Sequence, residues 1–262
     1  MGSESYSHEQ QYDTSINIIG SIKELDTISN LIKAELYPDL MDIAIVKREL
    51  GIRTEKSISR VEHGVKKAFL SFVSDEHEQF FYKIFGKDLN KADMSFILYW
   101  QLLVNNPLFR EITSGLFVKY YFEGRMRIET DDVLGYVVEL KNKNGTVDWS
   151  ESTIKIIANK YLNLMVKFGF LEKKGRKRVF VYATLSPELQ VIALYFSRFY
   201  PSGSSSVLSN ELAKLSFISQ DDLVHKYKKL SKNGLFDMSF NGEALAFKLN
   251  DDIERVIDVL YG

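Results

Sequence analysis

The chain has 262 residues, 45% of them hydrophobic and 26% charged, with a net charge of -1 and no cysteine. The missing cysteines exclude a disulfide framework, a Cys-ligated zinc site and a cysteine nucleophile, and the length allows a sizeable core divided among two or three subdomains. No stretch approaches the roughly eighteen apolar residues of a membrane span and no charged n-region leads an apolar run, so a cytoplasmic chain with no membrane partner is expected; only four prolines favour an α-rich one.

Met1 to Asp13 is polar and without period, and residues 1–15 are expected to be a disordered tail. From Ser21, the residues Ile22, Leu25, Ile28, Leu31, Ile32 and Leu36 recur at helical spacing up to Pro38, and a second short helix through Ile43, Val46 and Leu50 stops at Gly51. Arg53 to Arg60 leads into a helix with Val61, Val65, Ala68 and Phe69 inward and Arg60, Lys66 and Lys67 on its polar face. Ser74-Asp75-Glu76 caps the next helix, stopped by Gly86; Asn90 or Asp93 begins the apolar helix Met94 to Val104; and Pro107 suits the first turn of a helix running on to Tyr120. Residues 16–125 read as an all-helical domain. Thr130-Asp131-Asp132 then caps a helix through Val133, Val137 and Leu140.

The most informative stretch follows. Ser150-Glu151-Ser152-Thr153 supplies a helix start, and Ile154, Ile157, Ala158, Tyr161, Leu162, Met165 and Phe168 give an amphipathic helix over about 152–168. Gly169 sits where a left-handed residue would end it. Glu172 to Arg178 is a charged turn around Gly175, and Val179 to Leu185 is rich in β-branched and aromatic residues, so a hairpin is expected. Helix, glycine, strand, basic turn, strand is the outline of a winged helix, in which a helix enters the major groove of DNA and the hairpin rests beside it. From 151 to 182 there are eight cations (Lys155, Lys160, Lys167, Lys173, Lys174, Arg176, Lys177, Arg178) against two anions. Six of them on phosphates would make log K fall with log salt at a slope near -5, at about -0.9 per contact. The plain alternative is a solvated surface, but a merely soluble turn more often mixes Asn, Asp and Ser with its charges.

Pro187 opens a further helix, and Pro201 to Ser206 reads as a linker closing a winged-helix-like domain over 126–200. Residues 207–262 repeat its outline: Tyr161-x-x-Leu164 with Gly169-Phe170-Leu171 is answered by Tyr227-x-x-Leu230 with Gly234-Leu235-Phe236, then strand-like residues around Asn241-Gly242. A second winged-helix-like unit is expected, with no cations in its wing. The fold class is therefore mainly α: an all-helical N-terminal region followed by two winged-helix-like units with small β-hairpins.

Catalytic chemistry is hard to place. The four histidines are scattered, phosphate-binding glycine loops and a Gly-x-Ser-x-Gly elbow are lacking, and Asp131-Asp132 and Asp221-Asp222 stand where helix caps are wanted. Tyr99, Trp100, Phe109, Tyr120 and Tyr121 could stack bases, yet their helical spacing favours the core. No enzyme, metal, cofactor or small-molecule substrate is expected.

Three phrases carry a resemblance: Arg53-Thr54-Glu55-Lys56-Ser57-Ile58-Ser59-Arg60 ahead of a helix, Asn105-Asn106-Pro107-Leu108-Phe109-Arg110 after the Trp100 helix, and Trp149-Ser150-Glu151-Ser152-Thr153 leading to Gly169-Phe170-Leu171. Together, over roughly residues 17–200, the chain resembles the BrxA family, a small accessory component of BREX bacteriophage-exclusion systems. The resemblance implies a cytoplasmic, non-enzymatic DNA-binding factor, helical and similar in part to the antitermination protein NusB, acting beside methyltransferase and ATPase components. It places Arg53, Ser57 and Arg60 on one family segment and Thr153 and Lys155 on another. The tail beyond 203 departs from the pattern.

The leading expectation is therefore a protein that binds double-stranded DNA through Lys155, Asn159, Lys160, Asn163 and Lys167 on the helix and Lys173, Lys174, Arg176, Lys177 and Arg178 on the wing, with other BREX components as possible partners. Two rivals stand beside it: a scaffold for other defence subunits, and an RNA-binding protein acting through Arg53, Ser57, Arg60, Lys66 and Lys67.

Overall fold

The computed structural model describes residues 12–145, 147–175, 177–201, 211–218, 225, 227–231, 234–240 and 245–262. The protein is mainly α-helical, with only small antiparallel strand pairs. The tail before residue 12, Arg176, most of the expected linker, Asp221-Asp222 and the tip of the second hairpin lie outside the described residues.

The N-terminal half is helices α1 (Ile16–Ile19), α2 (Leu25–Leu36), α3 (Ile43–Glu49), α4 (Glu55–Phe69), α5 (Asp75–Phe85), α6 (Lys91–Asn105), α7 (Pro107–Ile112) and α8 (Val118–Phe122). Their starts follow local chemistry: the side chains of Thr54, Ser74, Asn90 and Asn106 each accept from the backbone N–H three residues on, satisfying donors a helix N-terminus otherwise leaves open.

The organising element is α6, buried from Asp93 to Val104. The Ser95 hydroxyl donates to the Phe168 carbonyl, the Tyr99 hydroxyl to that of Leu215, and the Trp100 indole to the Ser216 hydroxyl. The Tyr99 ring meets Phe109, Phe168, Phe170 and Phe217. Tyr99, Trp100 and Phe109 are thus core residues, not an open stacking platform, and Tyr121 is buried as well. Tyr120 stays half-buried under the Arg125 guanidinium, 3.5 Å above its ring centre.

Between α7 and α8 the helix expected to run on to Tyr120 widens into a π turn, Thr113–Phe117. Within it, Gly115 makes room for Tyr136: a Cβ there would come within 1.8 Å of the Tyr136 hydroxyl, which donates to the Glu111 carboxylate. Inserted residues of this kind re-aim a helix surface around a neighbour.

Next come β1 (Arg127–Ile128), α9 (Thr130–Lys143), α10 (Glu151–Lys167), β2 (Leu171–Lys174), β3 (Lys177–Phe180) and α11 (Pro187–Phe196). Helix α9 starts one residue earlier than expected: Glu129 is the cap, and the Asp132 carboxylate accepts from its backbone N–H. Ser150 caps α10, and Gly169 (φ +79) turns the chain out of it. The strands form one antiparallel sheet in the order β1-β3-β2, with Leu171 opposite Phe180, Lys173 opposite Arg178 and Lys174 opposite Lys177. The sequence suggests a strand running on to Leu185, but β3 ends at Phe180. Its outer neighbour β1 offers only Arg127 and Ile128, and Tyr182 leaves the ladder to pack on Tyr121.

The last part holds α12 (Leu212–Leu215), a hairpin of β4 (Phe236–Phe240) and β5 (Leu245–Leu249), and α13 (Ile253–Tyr261), a helix absent from the sequence reading. This segment is fastened to the rest through Tyr195, whose hydroxyl donates to the Leu235 carbonyl and accepts from the Asn250 N–H. The Lys83–Glu254 ion pair joins α5 to α13, Lys87 just after α5 pairs with Asp258, and the Tyr261 hydroxyl donates to buried Asp93.

Helix α1 lies between α4 and α10. At Gly20 an added Cβ would stand 2.7 Å from the Lys160 Cβ and 2.8 Å from its carbonyl oxygen. Gly20→Ala is therefore expected to destabilise the protein by about 1–3 kcal/mol, since neither atom is a flexible side-chain end. By contrast Gly135→Ala, exposed in α9 with open space around it, should be neutral or stabilise by up to about 1 kcal/mol. Thermal melts of the two variants should move in opposite directions.

Candidate nucleic-acid interface

Helix α10 shows solvent only part of its surface. Lys155 and Asn159 are exposed, flanked by Ile156 at 47% exposure, while Lys160 and Asn163 are half-buried beside α1. The Asn159 amide donates to the Lys155 carbonyl on its own helix. The open part is the N-terminal half of α10, and its C-terminal half is held against α1 and α6.

Lys167 does not belong to the open surface. Its ammonium donates to the Ile19 and Gly20 carbonyls at 3.3 and 3.0 Å, closing the C-terminal end of α1. Burial first, and then the nearby Lys160 and Lys173 cations, pull its pKa down to about 8.

On the hairpin, alternation separates the cations. Leu171 and Phe180 face the core, so Lys173 and Arg178, two positions along, share that side, while Lys174 and Lys177 take the other with Glu172 and Val179. Arg178 is half-buried and donates to the Thr130 hydroxyl at 3.2 Å; its Nε is buried without a hydrogen-bond partner, and burial pulls its pKa down. Lys173, Lys174 and Lys177 are exposed, and Lys174 lies 3.3 Å from Glu172.

The consequence is a cost. Two like-charged pairs, Lys173 with Arg178 and Lys174 with Lys177, stand directly opposite each other in the ladder, an arrangement that destabilises a sheet by up to about 1 kcal/mol per pair. Only Lys174 among them has a carboxylate partner among the described residues. A polyanion laid on the outer face of the hairpin would relieve the Lys174–Lys177 pair.

The second group of sequence-selected residues divides. Arg53, Ser57 and Arg60 are exposed at the start of α4, and the two arginines make no ion pair among the described residues. Lys66 and Lys67 are paired with Glu35 and Asp13 at 2.9 and 3.3 Å. The other motif segments have structural work: Asn105 donates to the Ala68 carbonyl, Asn106 caps α7 and donates to the Asp13 carbonyl, and Arg110 donates to the carbonyls of Leu103 and Val104. Trp149 packs on Tyr12 and receives the Lys141 ammonium on its carbonyl. Sequence reasoning passed over Lys23 and Asn17, which share a groove with Ser57 and Arg60; neither stands in a basic run or a motif that would have marked it.

No helix among the described residues is long and apolar enough to cross a membrane. A family model described as BrxA matches residues 39–193, more than half of the chain. No curated protein matches.

Proposed function

The chain belongs to the BrxA family of BREX phage-defence systems, and from that membership and the uncompensated cations of its hairpin we propose that it is a non-enzymatic, cytoplasmic accessory protein that binds duplex DNA. The element order β1, α9, α10, β2, β3 with sheet order β1-β3-β2 suits a winged helix, with α10 as groove helix and the β2–β3 hairpin as wing. The observation that carries the reading is the pair of like-charge oppositions in the hairpin, a stability cost for which the exposed Lys173 and Lys177 have no carboxylate partner among the described residues.

Contacts to phosphate position such a protein and contacts to base edges select sequence. On α10 and the wing, the cations without an ion pair among the described residues, Lys155, Lys160, Lys173 and Lys177, with Lys174 once it leaves Glu172, act on phosphate. Of the eight cations counted in the sequence, Lys167 and Arg178 are turned to the protein and Arg176 lies outside the described residues, which leaves these five. The expected slope of log K against log salt is therefore about -4, at about -0.9 per phosphate. Titrating the protein into a labelled duplex of about 30 base pairs at several salt concentrations, with single-stranded RNA as competitor, tests this. A slope near that value with duplex preferred supports the reading; no binding at low salt overturns it.

A scaffold role draws on a different observation. Phe122, Met126 and Tyr182 are 44%, 79% and 56% exposed near the base of the same hairpin, an apolar surface suited to another subunit.

A further inference from the structure

The α1–α2 turn joins the two basic groups that looked separate in the sequence. On one side, Lys167 reaches the carbonyls of Ile19 and Gly20, with Lys160 and Lys173 close enough to act on its charge and Glu24 acting in the opposite sense. On the other, Asn17, Ile18 and residues 21–24 form one wall of a groove of about 630 Å³ whose far wall includes Ser57 and Arg60 of α4. The spacer, α1, is a single turn packed on both α4 and α10, and an α-helix with its side chains is about 10–12 Å across, close to the roughly 12 Å width of the DNA major groove.

Three features mark this groove for a polar ligand. Lys23 and Arg60 are exposed and make no ion pair among the described residues. Ser57 stands one helical turn before Arg60. The side-chain oxygen of Asn17 is buried in the groove with no hydrogen-bond partner, and a buried polar atom left open costs roughly 1–3 kcal/mol.

We propose that the groove between the α1–α2 turn and α4 is a second contact of the same DNA duplex, in which Lys23 and Arg60 take backbone phosphates, the Ser57 hydroxyl donates a further hydrogen bond and the Asn17 side-chain oxygen accepts one from a base amino group. This rests on the DNA-binding reading above and extends it: α10, the wing and α4 would lie along one nucleic-acid surface with α1 at its centre. Glu24 and Glu49 also line the groove, so the attraction is confined to phosphates that reach the two cations, and two contacts are the expected gain.

The test compares Lys23→Glu/Arg60→Glu with Lys66→Glu/Lys67→Glu in the full chain. Both double variants change the net charge equally, but Lys66 and Lys67 are already engaged by carboxylates. With the 30-base-pair duplex, the first variant should reduce the salt slope by about 1.8 and weaken binding about 60-fold at 0.1 M salt, at about -0.9 per phosphate, while the second leaves the slope unchanged. Lys23→Gln/Arg60→Gln should lose the same slope without introducing repulsion, and thermal melts of the two Lys23/Arg60 variants should match the parent because those side chains are exposed and unpaired among the described residues, whereas Lys66→Glu/Lys67→Glu gives up two ion pairs and should melt lower. If the parent binds and the first variant keeps its slope, or if both charge-reversed variants lose slope alike, the second contact is overturned and the wing-and-helix reading stands. If the parent does not bind, both fall.

Discussion

Changing Lys173, Lys174 and Lys177 together to glutamate is expected to weaken duplex binding by about 500-fold at 0.1 M salt and to reduce the salt slope by about 2.7. Each phosphate contact contributes about 0.9 to that slope, or roughly 8-fold in affinity at 0.1 M relative to 1 M. The three lysines are exposed on strands whose other side is fixed to the core by Leu171 and Phe180, so the hairpin should survive. Lys173→Glu even places a carboxylate opposite Arg178, replacing repulsion with attraction. Arg178→Met supplies the contrast. Its guanidinium is half-buried, bonded to Thr130, and leaves Nε unpartnered, so a methionine that keeps the stem packing should leave the slope nearly unchanged. Equal losses of slope in both variants would mean that the hairpin acts through its fold and not through its exposed charges. An unchanged slope in the triple variant would remove the wing from the interface.

That contrast also marks how far the sequence could be read. Helix starts were legible because capping is local: Ser74, Asn90 and Ser150 act on N–H groups three residues away. The basic hairpin was legible from Gly175, whose positive φ suits a tight turn. Lys167 was not, because helical spacing cannot reveal that a last-turn lysine will meet carbonyls 147 and 148 residues away in sequence. Arg178 could have been read correctly: period-two alternation from an inward Phe180 puts it on the core face, and counting the run as one turn hid that parity. Strand β1 has two residues and α1 has four, too few to show any period. The groove at Lys23 and Arg60 exists only once α1, α2 and α4 are packed, so no local pattern announces it.

The largest expected effect on stability lies at His77, a residue with no part in the basic surface. It is fully buried; its Nδ1 accepts from the Val73 N–H at 3.3 Å, and its Nε2 lies 2.7 Å from the Gln101 side-chain oxygen. Since Nδ1 is the acceptor, Nε2 carries the proton and donates, the neutral tautomer. Gln101 in turn donates to the carbonyls of Phe69 and Ser71, and the His77 ring stacks on Phe199 with centroids 4.4 Å apart. The imidazole thus ties the chain between α4 and α5 to the central helix. His77→Leu would leave the Val73 donor and the Gln101 acceptor open in the interior, and should cost about 3–5 kcal/mol, from two unsatisfied groups at roughly 1–3 kcal/mol each with some lost packing.

The same residue gives a pH signature. Burial, opposed by the Gln101 hydrogen bond, lowers the His77 pKa below its ordinary 6.5. Above pH 6.5 neither the folded nor the unfolded form carries the proton, and the residue's full contribution is present. As pH falls below 6.5 the unfolded chain gains a proton that the folded chain refuses, and stability declines by up to about 1.4 kcal/mol per pH unit until the folded pKa is reached. Denaturant titrations of the parent and His77→Leu between pH 8 and pH 5 should therefore converge on acidification. Asp93, whose carboxyl burial pushes its pKa up, acts with the opposite sign but is present in both proteins and cancels in the difference. A gap between the two proteins that stays constant with pH would mean that His77 takes up its proton in the fold as readily as in water, and the buried neutral network would have to be redrawn.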